Sequence, residues 1–205
     1  MKKIASFATL TVLGCLTAGS LSAYVLLSPR RTWSADPNVI VDNRGLSSVT
    51  DGDLGRTRTR NAIVSSIAWN GAGSGTVVNA TVGSISGFSL GDGRPMLNFT
   101  DPIRVCTGNC LAATFTGYYR QRSNGTYEIY DADIVTNTAY AWASAGESCS
   151  SEMYVEGVMV HEVGHLLGLG HTSVSGATMY PSVSYCNNGP ASTAADDENG
   201  INNLY

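Results

Sequence analysis

Eleven residues late in the chain combine the side chains that a hydrolytic metal centre needs. Residues 161–171 read HEVGHLLGLGH, with His161, Glu162, His165 and His171 as the polar members. Three neutral imidazoles can hold one zinc ion and leave a fourth position open, which is typical of a catalytic rather than a structural zinc site. These three histidines are all that the 205-residue chain contains. The segment therefore predicts one zinc site that binds one ion.

The spacing of these residues gives each a place around the metal. His161 and His165 are four residues apart, so on a helix their imidazoles share one face. Glu162 points beside the metal, where it can act as general base toward a zinc-bound water. Gly168 permits the left-handed backbone that ends helices, so the chain can turn back and bring His171 to the metal.

The chemistry predicted by this arrangement is hydrolysis. Zinc lowers the pKa of a bound water to about 7 and polarises a substrate carbonyl, while Glu162 takes the water proton and delivers it to the leaving amine. The alternative is a buried helix that merely carries histidines in its core. The extension to Gly168 and His171 argues against it, as does the cost of burying these polar groups without partners.

Hydrophobic periodicity predicts the elements that carry this segment. From Ser150 to Leu167, apolar residues recur as in one long, buried helix. A second helix is predicted from about Asp53 to Trp69, and residues 194–205 start like a third, with acids in the first turn. Short apolar runs bounded by turn residues predict strands at 38–41, 76–81, 96–99, 111–120 and 127–135, the last two joined by a hairpin turn at 123–125. Strands thus dominate the first two thirds.

Composition limits the class of protein. The chain has 12 basic and 16 acidic residues, a net charge of −4, which suggests neither nucleic acid nor a membrane surface as a partner. With 23 glycines and 14% charged residues it suits an extracellular, loop-rich domain. We expect a monomer whose partner is a protein or peptide substrate, without stable membrane association.

The amino terminus predicts export. Residues 1–23 have a basic start, an apolar stretch and a small-residue cleavage site, as in a signal peptide. A membrane anchor and lipidation at Cys15 are the alternatives, and in the lipidated case the protein also leaves the cytoplasm. Residues 24–36 are predicted as a short lead-in or vestigial pro-segment, with a possible processing site at Arg30-Arg31. Residues 37–205 are predicted as the catalytic domain.

Four cysteines remain besides Cys15, and an even number in an exported protein indicates disulfides. Three pairings are possible. Cys106 and Cys110 flank a short turn, which favours their bond as a local loop closure and leaves Cys149 with Cys186. A second zinc site is the alternative, but the spacing is not a paired C-x-x-C and no histidine is left to complete it.

The extended motif and the residues after it resemble the metzincin zinc endopeptidases, whose signature adds a methionine turn, the Met-turn. The candidate Met-turn is Ala177-Thr178-Met179-Tyr180-Pro181, eight residues after His171. This spacing and the Met-Tyr-Pro triplet are similar to the matrixin group. Residues 196–205 also resemble the matrixin closing helix, and the close similarity covers roughly residues 158–205.

This resemblance implies a fold and a role for each site residue. The fold would be α+β, a metzincin-like zincin with a twisted mixed sheet, a long active-site helix, a Met-turn and a C-terminal helix. The three histidines would bind zinc, with Glu162 as general base, and Met179 would form a hydrophobic floor under the metal. The strand at 111–120 would be the edge strand that pairs with an extended substrate. Residues of the specificity pocket would be Tyr180, Pro181, Val183 and Tyr185.

The chain departs from the matrixin pattern in several places. No histidines remain for the second, structural zinc of matrixins, so we expect that site to be absent. Calcium is possible near Asp51 and Asp53, near Asp92, or near Asp131 and Asp133, although Asp-Gly turns are more often only turns. Val183 stands where many matrixins have a tyrosine. No cysteine-switch propeptide precedes the domain, which leaves latency unexplained.

Two other classes of function remain open at this stage. One is a zinc hydrolase that acts on a small amide with the same ligands, although the edge strand favours an extended peptide. The other is a zinc-containing binding module without turnover, although such a module has no need of Glu162. The sequence therefore predicts a secreted, matrixin-like zinc endopeptidase.

Overall fold

The computed structural model describes residues 24–44 and 52–205. The predicted signal segment with Cys15, and Asp51 of one possible calcium turn, lie outside the described residues. The strands are β1 (Val25–Leu26), β2 (Arg31–Trp33), β3 (Asn38–Asp42), β4 (Asn79–Gly83), β5 (Met96–Asn98), β6 (Ala112–Gln121), β7 (Tyr127–Thr136), β8 (Trp142–Ala143), β9 (Met153–Tyr154) and β10 (Leu169–Gly170). The helices are α1 (Gly52–Ile63), α2 (Val155–Leu167) and α3 (Ala195–Leu204), with 3-10 turns at Trp69–Gly71 and Gly189–Ala191.

Six strands form one twisted, mixed sheet. Five of them run parallel in the order β2-β7-β5-β3-β4, and β6 is antiparallel to β7. The hairpin predicted at residues 123–125 joins β6 to β7. Among the described strands, β6 pairs with β7 alone, so its other edge is open. The predicted α+β fold with a mixed sheet is confirmed.

Helix α2 packs on one face of the sheet at the centre of the core. Eleven of its 13 residues are buried. The seven apolar side chains among them share one hydrophobic cluster with side chains of the strands, such as Val41, Leu97 and Ile134. The two residues of α2 that remain partly exposed are His161 and His165. The apolar pattern thus buries the helix everywhere except at the two histidines.

Residues 24–36, predicted as a lead-in, contribute two strands to the fold. β1 pairs antiparallel with β10, and β2 extends the main sheet beside β7. Arg31, half of the predicted processing site, is only 5% exposed. The indole N–H of Trp33 donates to the carbonyl of Leu166 at 2.9 Å. The stretch therefore holds the carboxyl end of α2 in place.

Helix α2 begins later than the sequence predicts. The apolar pattern predicts a helix from Ser150, but α2 starts at Val155 because Met153 and Tyr154 form β9, which pairs in parallel with β8. Apolar neighbours at two positions fit a strand as well as a helix. Here the pairing of residues 153 and 154 with β8 favours the strand over the helix.

Asn70 explains two further differences between the predicted and observed elements. Its side-chain amide accepts a hydrogen bond from the Val78 N–H at 2.7 Å and donates to the carbonyls of Val78 and Val64 at 2.9 and 3.1 Å. Since the N–H and the carbonyl of Val78 both form hydrogen bonds with this side chain, β4 begins only at Asn79, rather than at the predicted residue 76. The same contact holds the turn after α1, which ends at Ile63 and not at the predicted Trp69.

The structure contains both favoured disulfides, Cys106–Cys110 and Cys149–Cys186. The first closes the loop between β5 and β6. The second links the segment before β9 to the segment that follows the Met-turn. In the part of the chain that the structure describes, no helix has the length and apolar character needed to cross a membrane.

Candidate metal centre

The three histidines converge on one point. The Nε2 atom of His171 lies 3.2 Å from Nε2 of His161 and 3.1 Å from Nε2 of His165. Two ligands at about 2.0–2.1 Å from a tetrahedral zinc are about 3.3 Å apart, so the observed spacing fits a single ion held by three nitrogens. Cys149 and Cys186 also lie close to Glu152, but their sulfurs are bonded to each other.

The helix end brings His171 to the other two histidines. Gly168 follows α2 with φ of +108°, in the left-handed region. A side chain there would also overlap the carbonyl oxygen of Arg31 on β2. Glycine is therefore required on two counts, conformation and contact. The chain then runs through β10 to His171.

Backbone carbonyls fix the orientation of two of the imidazoles. Nδ1 of His161 lies 2.6 Å from the carbonyl of Thr178, and Nδ1 of His165 lies 2.8 Å from the carbonyl of Leu169. An Nδ1–H that donates to these carbonyls leaves the Nε2 lone pair free for a metal. The donor set is thus oriented for ligation.

Burial also keeps the histidines neutral. It lowers the pKa of His161 to about 4, and the pKa of His171 likewise falls to about 4. Burial lowers the pKa of His165 in the same direction, and the neighbouring His161 adds to the effect. Neutral imidazole is the form that binds zinc, so at neutral pH the centre is ready for a metal.

The predicted Met-turn lies under the centre. Met179 is 2% exposed and packs directly against α2 at Gly164, the residue before His165. A Cβ on Gly164 would lie 2.6 Å from Cζ2 of Trp69 and closer still to the Met179 sulfur. The turn itself is fixed by α3, because the Asp197 carboxylate accepts the backbone N–H groups of Thr178 at 2.7 Å and Met179 at 3.0 Å.

Glu162 is buried beside His165. Its exposed fraction is 5%, and burial raises the pKa of its carboxyl above the ordinary glutamate value. One carboxylate oxygen, Oε2, accepts a hydrogen bond of 2.6 Å from the hydroxyl of Thr114 on β6. A carboxylate with a raised pKa in this position is suited to act as a proton acceptor and donor.

The residues predicted for the specificity pocket begin in the Met-turn and continue just after it. Tyr180 and Val183 are half-buried, and Val183 packs against the core cluster. Pro181 and Tyr185 are exposed, Tyr185 to 56%. The four residues thus lie on one short segment, and their role in a specificity pocket stays a prediction.

Two buried carboxylates lie away from the histidines. Asp131 and Asp133 on β7 are each 1% exposed. Both side-chain oxygens of Asp131 and Oδ1 of Asp133 lack a well-formed hydrogen bond within the described residues. Asp92, by contrast, forms an ion pair with Arg94 at 2.6 Å. Burial and the neighbouring Asp131 raise the pKa of Asp133 to about 8.

Several residues that build the centre escape prediction from the motif. Thr114, Gly164 and Asp197 each contact a motif residue or the Met-turn from a different element. Trp69 joins them, since its indole N–H donates to the Val160 carbonyl of α2 at 2.7 Å. Gly164 offers a signal in the sequence, because a glycine inside a helix needs a packing reason. The others depend on contacts between distant parts of the chain.

Part of the chain, including this centre, matches a known protein family. The matrixin family profile matches residues 107–205. Metalloendoproteinase 5-MMP of Arabidopsis thaliana is 51% identical over 51 residues, which cover 25% of this chain and 14% of that protein. Metalloendoproteinase 1 of Glycine max is 43% identical over 73 residues, 31% of this chain and 22% of that protein. Metalloendoproteinase 2-MMP of Arabidopsis thaliana is 39% identical over 129 residues, 53% of this chain and 32% of that protein.

These relatives are much longer than the matched segment, and the chain spans at most about a third of their length. The residues that the matrixin profile matches contain the three histidines, Glu162 and Met179. Residues 107–205, which carry the candidate metal centre, are therefore similar to the matrixin family.

Proposed function

We propose that the chain is a secreted, zinc-dependent endopeptidase that hydrolyses peptide bonds in protein substrates. The observation that carries the proposal is the convergence of three Nε2 atoms, with a buried carboxylate beside them. A zinc-binding module without turnover would need the three histidines but not the buried carboxylate. The metalloendoproteinase names of the relatives support the same activity.

His161, His165 and His171 would hold the zinc, and Met179 would support them from below. When bound, the ion supplies Lewis acidity, which lowers the pKa of water and polarises a carbonyl. Glu162 takes the proton of the attacking water and later gives it to the leaving amine. Its raised pKa assists the first transfer and does not prevent the second.

The open edge of β6 would bind the substrate. An extended peptide can add a strand to such an edge, with main-chain hydrogen bonds for affinity and pockets for alternate side chains. Tyr180, Pro181, Val183 and Tyr185 would line the pocket for the residue after the scissile bond. An extended site of this kind supports a peptide rather than a small amide as the substrate.

Export and a further ion are part of the same proposal. The two disulfides suit an oxidising compartment, in agreement with residues 1–23 as a signal peptide. We further propose that calcium can bind near Asp131 and Asp133, because two buried carboxylates without strong partners favour a cation of this class.

The test compares the zinc-loaded protein with Glu162→Ala on casein and on a quenched fluorescent peptide. We expect the variant to keep one zinc per molecule and to lose at least about 1,000-fold in kcat, as expected when an essential proton-transfer group is removed. A chelator should abolish wild-type cleavage and added zinc restore it. Cleavage by Glu162→Ala at the wild-type rate would exclude this mechanism, and an inactive wild type with bound zinc would favour a binding module.

A further inference from the structure

Thr114 lies on the edge strand but faces the interior. It is opposite Ile134 in the β6–β7 ladder, and Ile134 is fully buried in the core. Its side chain therefore points toward α2, away from the outer surface of the sheet. There its hydroxyl lies 2.6 Å from Oε2 of Glu162 and 3.1 Å from the Glu162 backbone carbonyl.

A hydroxyl has one proton to donate, and both neighbours of Thr114 are acceptors. The carboxylate is the better acceptor, since hydrogen bonds to ionised groups are shorter and stronger than those between neutral groups. The shorter distance agrees with this choice. Oε1 of Glu162 receives no hydrogen bond from the described part of the chain, so the two carboxylate oxygens have different surroundings.

We propose that Thr114 is a positioning residue for the general base. By holding Oε2, it fixes the rotation of the carboxylate and leaves Oε1 to meet the attacking water. The proton then moves from water to Oε1, and from Oε1 to the nitrogen of the leaving amine. Oε2 stays an acceptor in both protonation states, so the Thr114 hydrogen bond persists through the cycle. The inference rests on the proposed function.

The position of Thr114 also means that β6 would have two roles in the site. The outer edge of β6 is the part that would bind the peptide backbone, and an inward side chain of the same strand holds the base. A shift of β6 along α2 would therefore change the position of the substrate and of Glu162 together.

The test uses Thr114→Val, which removes the hydroxyl and nearly keeps the shape. We expect kcat to fall about tenfold, which is the effect of about 1.4 kcal/mol of lost transition-state stabilisation. KM and the zinc content should stay close to wild type, because neither the substrate edge nor the ligands change. Thr114→Ser should restore most of kcat, since it restores the donor.

Thr116→Val is the matched control. Thr116 faces the same side of β6, and its hydroxyl accepts from Arg31 at 2.7 Å without contacting Glu162. It should lower the urea midpoint while leaving kcat near wild type. An equal loss of kcat in both variants would show a general effect on the strand and would overturn the inference.

Two double-variant comparisons complete the test. In the Glu162→Ala background, Thr114→Val should change the residual kcat by less than about twofold, because there is no base left to position. In the metal-free protein, Thr114→Val and Glu162→Gln should shift the urea midpoint non-additively. Additive effects in both comparisons would refute the contact.

The outcomes also separate this inference from the proposed function. If the zinc-loaded wild type cleaves peptides and Thr114→Val has an unchanged kcat, only the inference on Thr114 fails. If the wild type cleaves nothing, the proposed function fails and Thr114 has no base to position.

Discussion

Gly164 gives the sharpest test of how the Met-turn supports the metal centre. In an isolated helix, Gly164→Ala would stabilise by about 1 kcal/mol, since alanine is the better helix former. In this protein the added methyl group would lie 2.6 Å from the Trp69 ring and closer to the Met179 sulfur. These distances are below the ordinary van der Waals separation of about 3.5–4.0 Å, so a neighbour has to move.

Neither neighbour can move at low cost. Trp69 is 1% and Met179 2% exposed, and the Trp69 indole is held by the Val160 carbonyl. Inserting a methyl group into such packing costs about 1–3 kcal/mol, and the gain in helix propensity offsets about 1 kcal/mol of this. We therefore expect Gly164→Ala to lower the free energy of unfolding by up to about 2 kcal/mol.

Zinc affinity should fall as well, because displacing Met179 also displaces the Thr178 carbonyl that orients His161. Loss of such an outer contact typically costs about 10–100-fold in metal affinity. Urea unfolding of the metal-free protein measures the first effect, and competition with a chromophoric chelator measures the second.

The matched control is Gly157→Ala in the first turn of the same helix. Its Cβ would lie 3.1 Å from Oδ1 of Asn188, the end of a side chain that can rotate. We expect little or no loss of stability and no change in zinc affinity. If Gly164→Ala were as stable as wild type and bound zinc as tightly, the close packing of Met179 on α2 would not support the centre.

Two further predictions concern the stability of the protein, one from the buried Asp133 and one from the disulfides. Since the folded-state pKa of Asp133 is raised to about 8, the folded protein holds a proton that the unfolded chain releases near pH 4. The free energy of unfolding, measured with a chelator present, should therefore fall by up to about 1.4 kcal/mol per pH unit as the pH rises between these values. Asp133→Asn should flatten this dependence in urea titrations, and calcium should oppose it if the ion binds there; an unchanged slope in the variant would assign it to another group. The Cys149–Cys186 bond closes a loop with a sequence separation of 37. Replacing both of these cysteines with serine should lower the free energy of unfolding by about 4 kcal/mol, about twice the loss expected for the Cys106–Cys110 bond. Equal losses for the two disulfides would contradict this explanation from loop entropy.

The sequence predicts the centre of this molecule better than its periphery. His161, His165 and His171 are linked by short spacings and by Gly168, so local geometry alone brings them together. The hairpin at 123–125 is equally local. The structure brings the three histidines together and forms this hairpin because few alternative conformations satisfy the same residues.

Elements that depend on distant partners are predicted less well. Val77 and Val78 look like a strand, but Asn70 takes the hydrogen bonds of Val78 and delays β4. Met153 and Tyr154 look helical until β8 pairs with them. Thr114 shows no sign of its contact with Glu162, because that contact joins an edge strand to a helix far along the chain. Spacing in the sequence does not record such contacts.

The pairing of β1 with β10 has a consequence for the order in which the protein is made. Val25 is translated among the first described residues, and its partner Gly170, next to His171, is translated late. Contacts between residues so far apart in the chain form slowly, because closing the loop between them costs entropy. While the chain is still being made, the segment that leads to His171 therefore lacks its pairing with β1. We therefore expect firm metal binding only after β1 has paired with β10, late in folding.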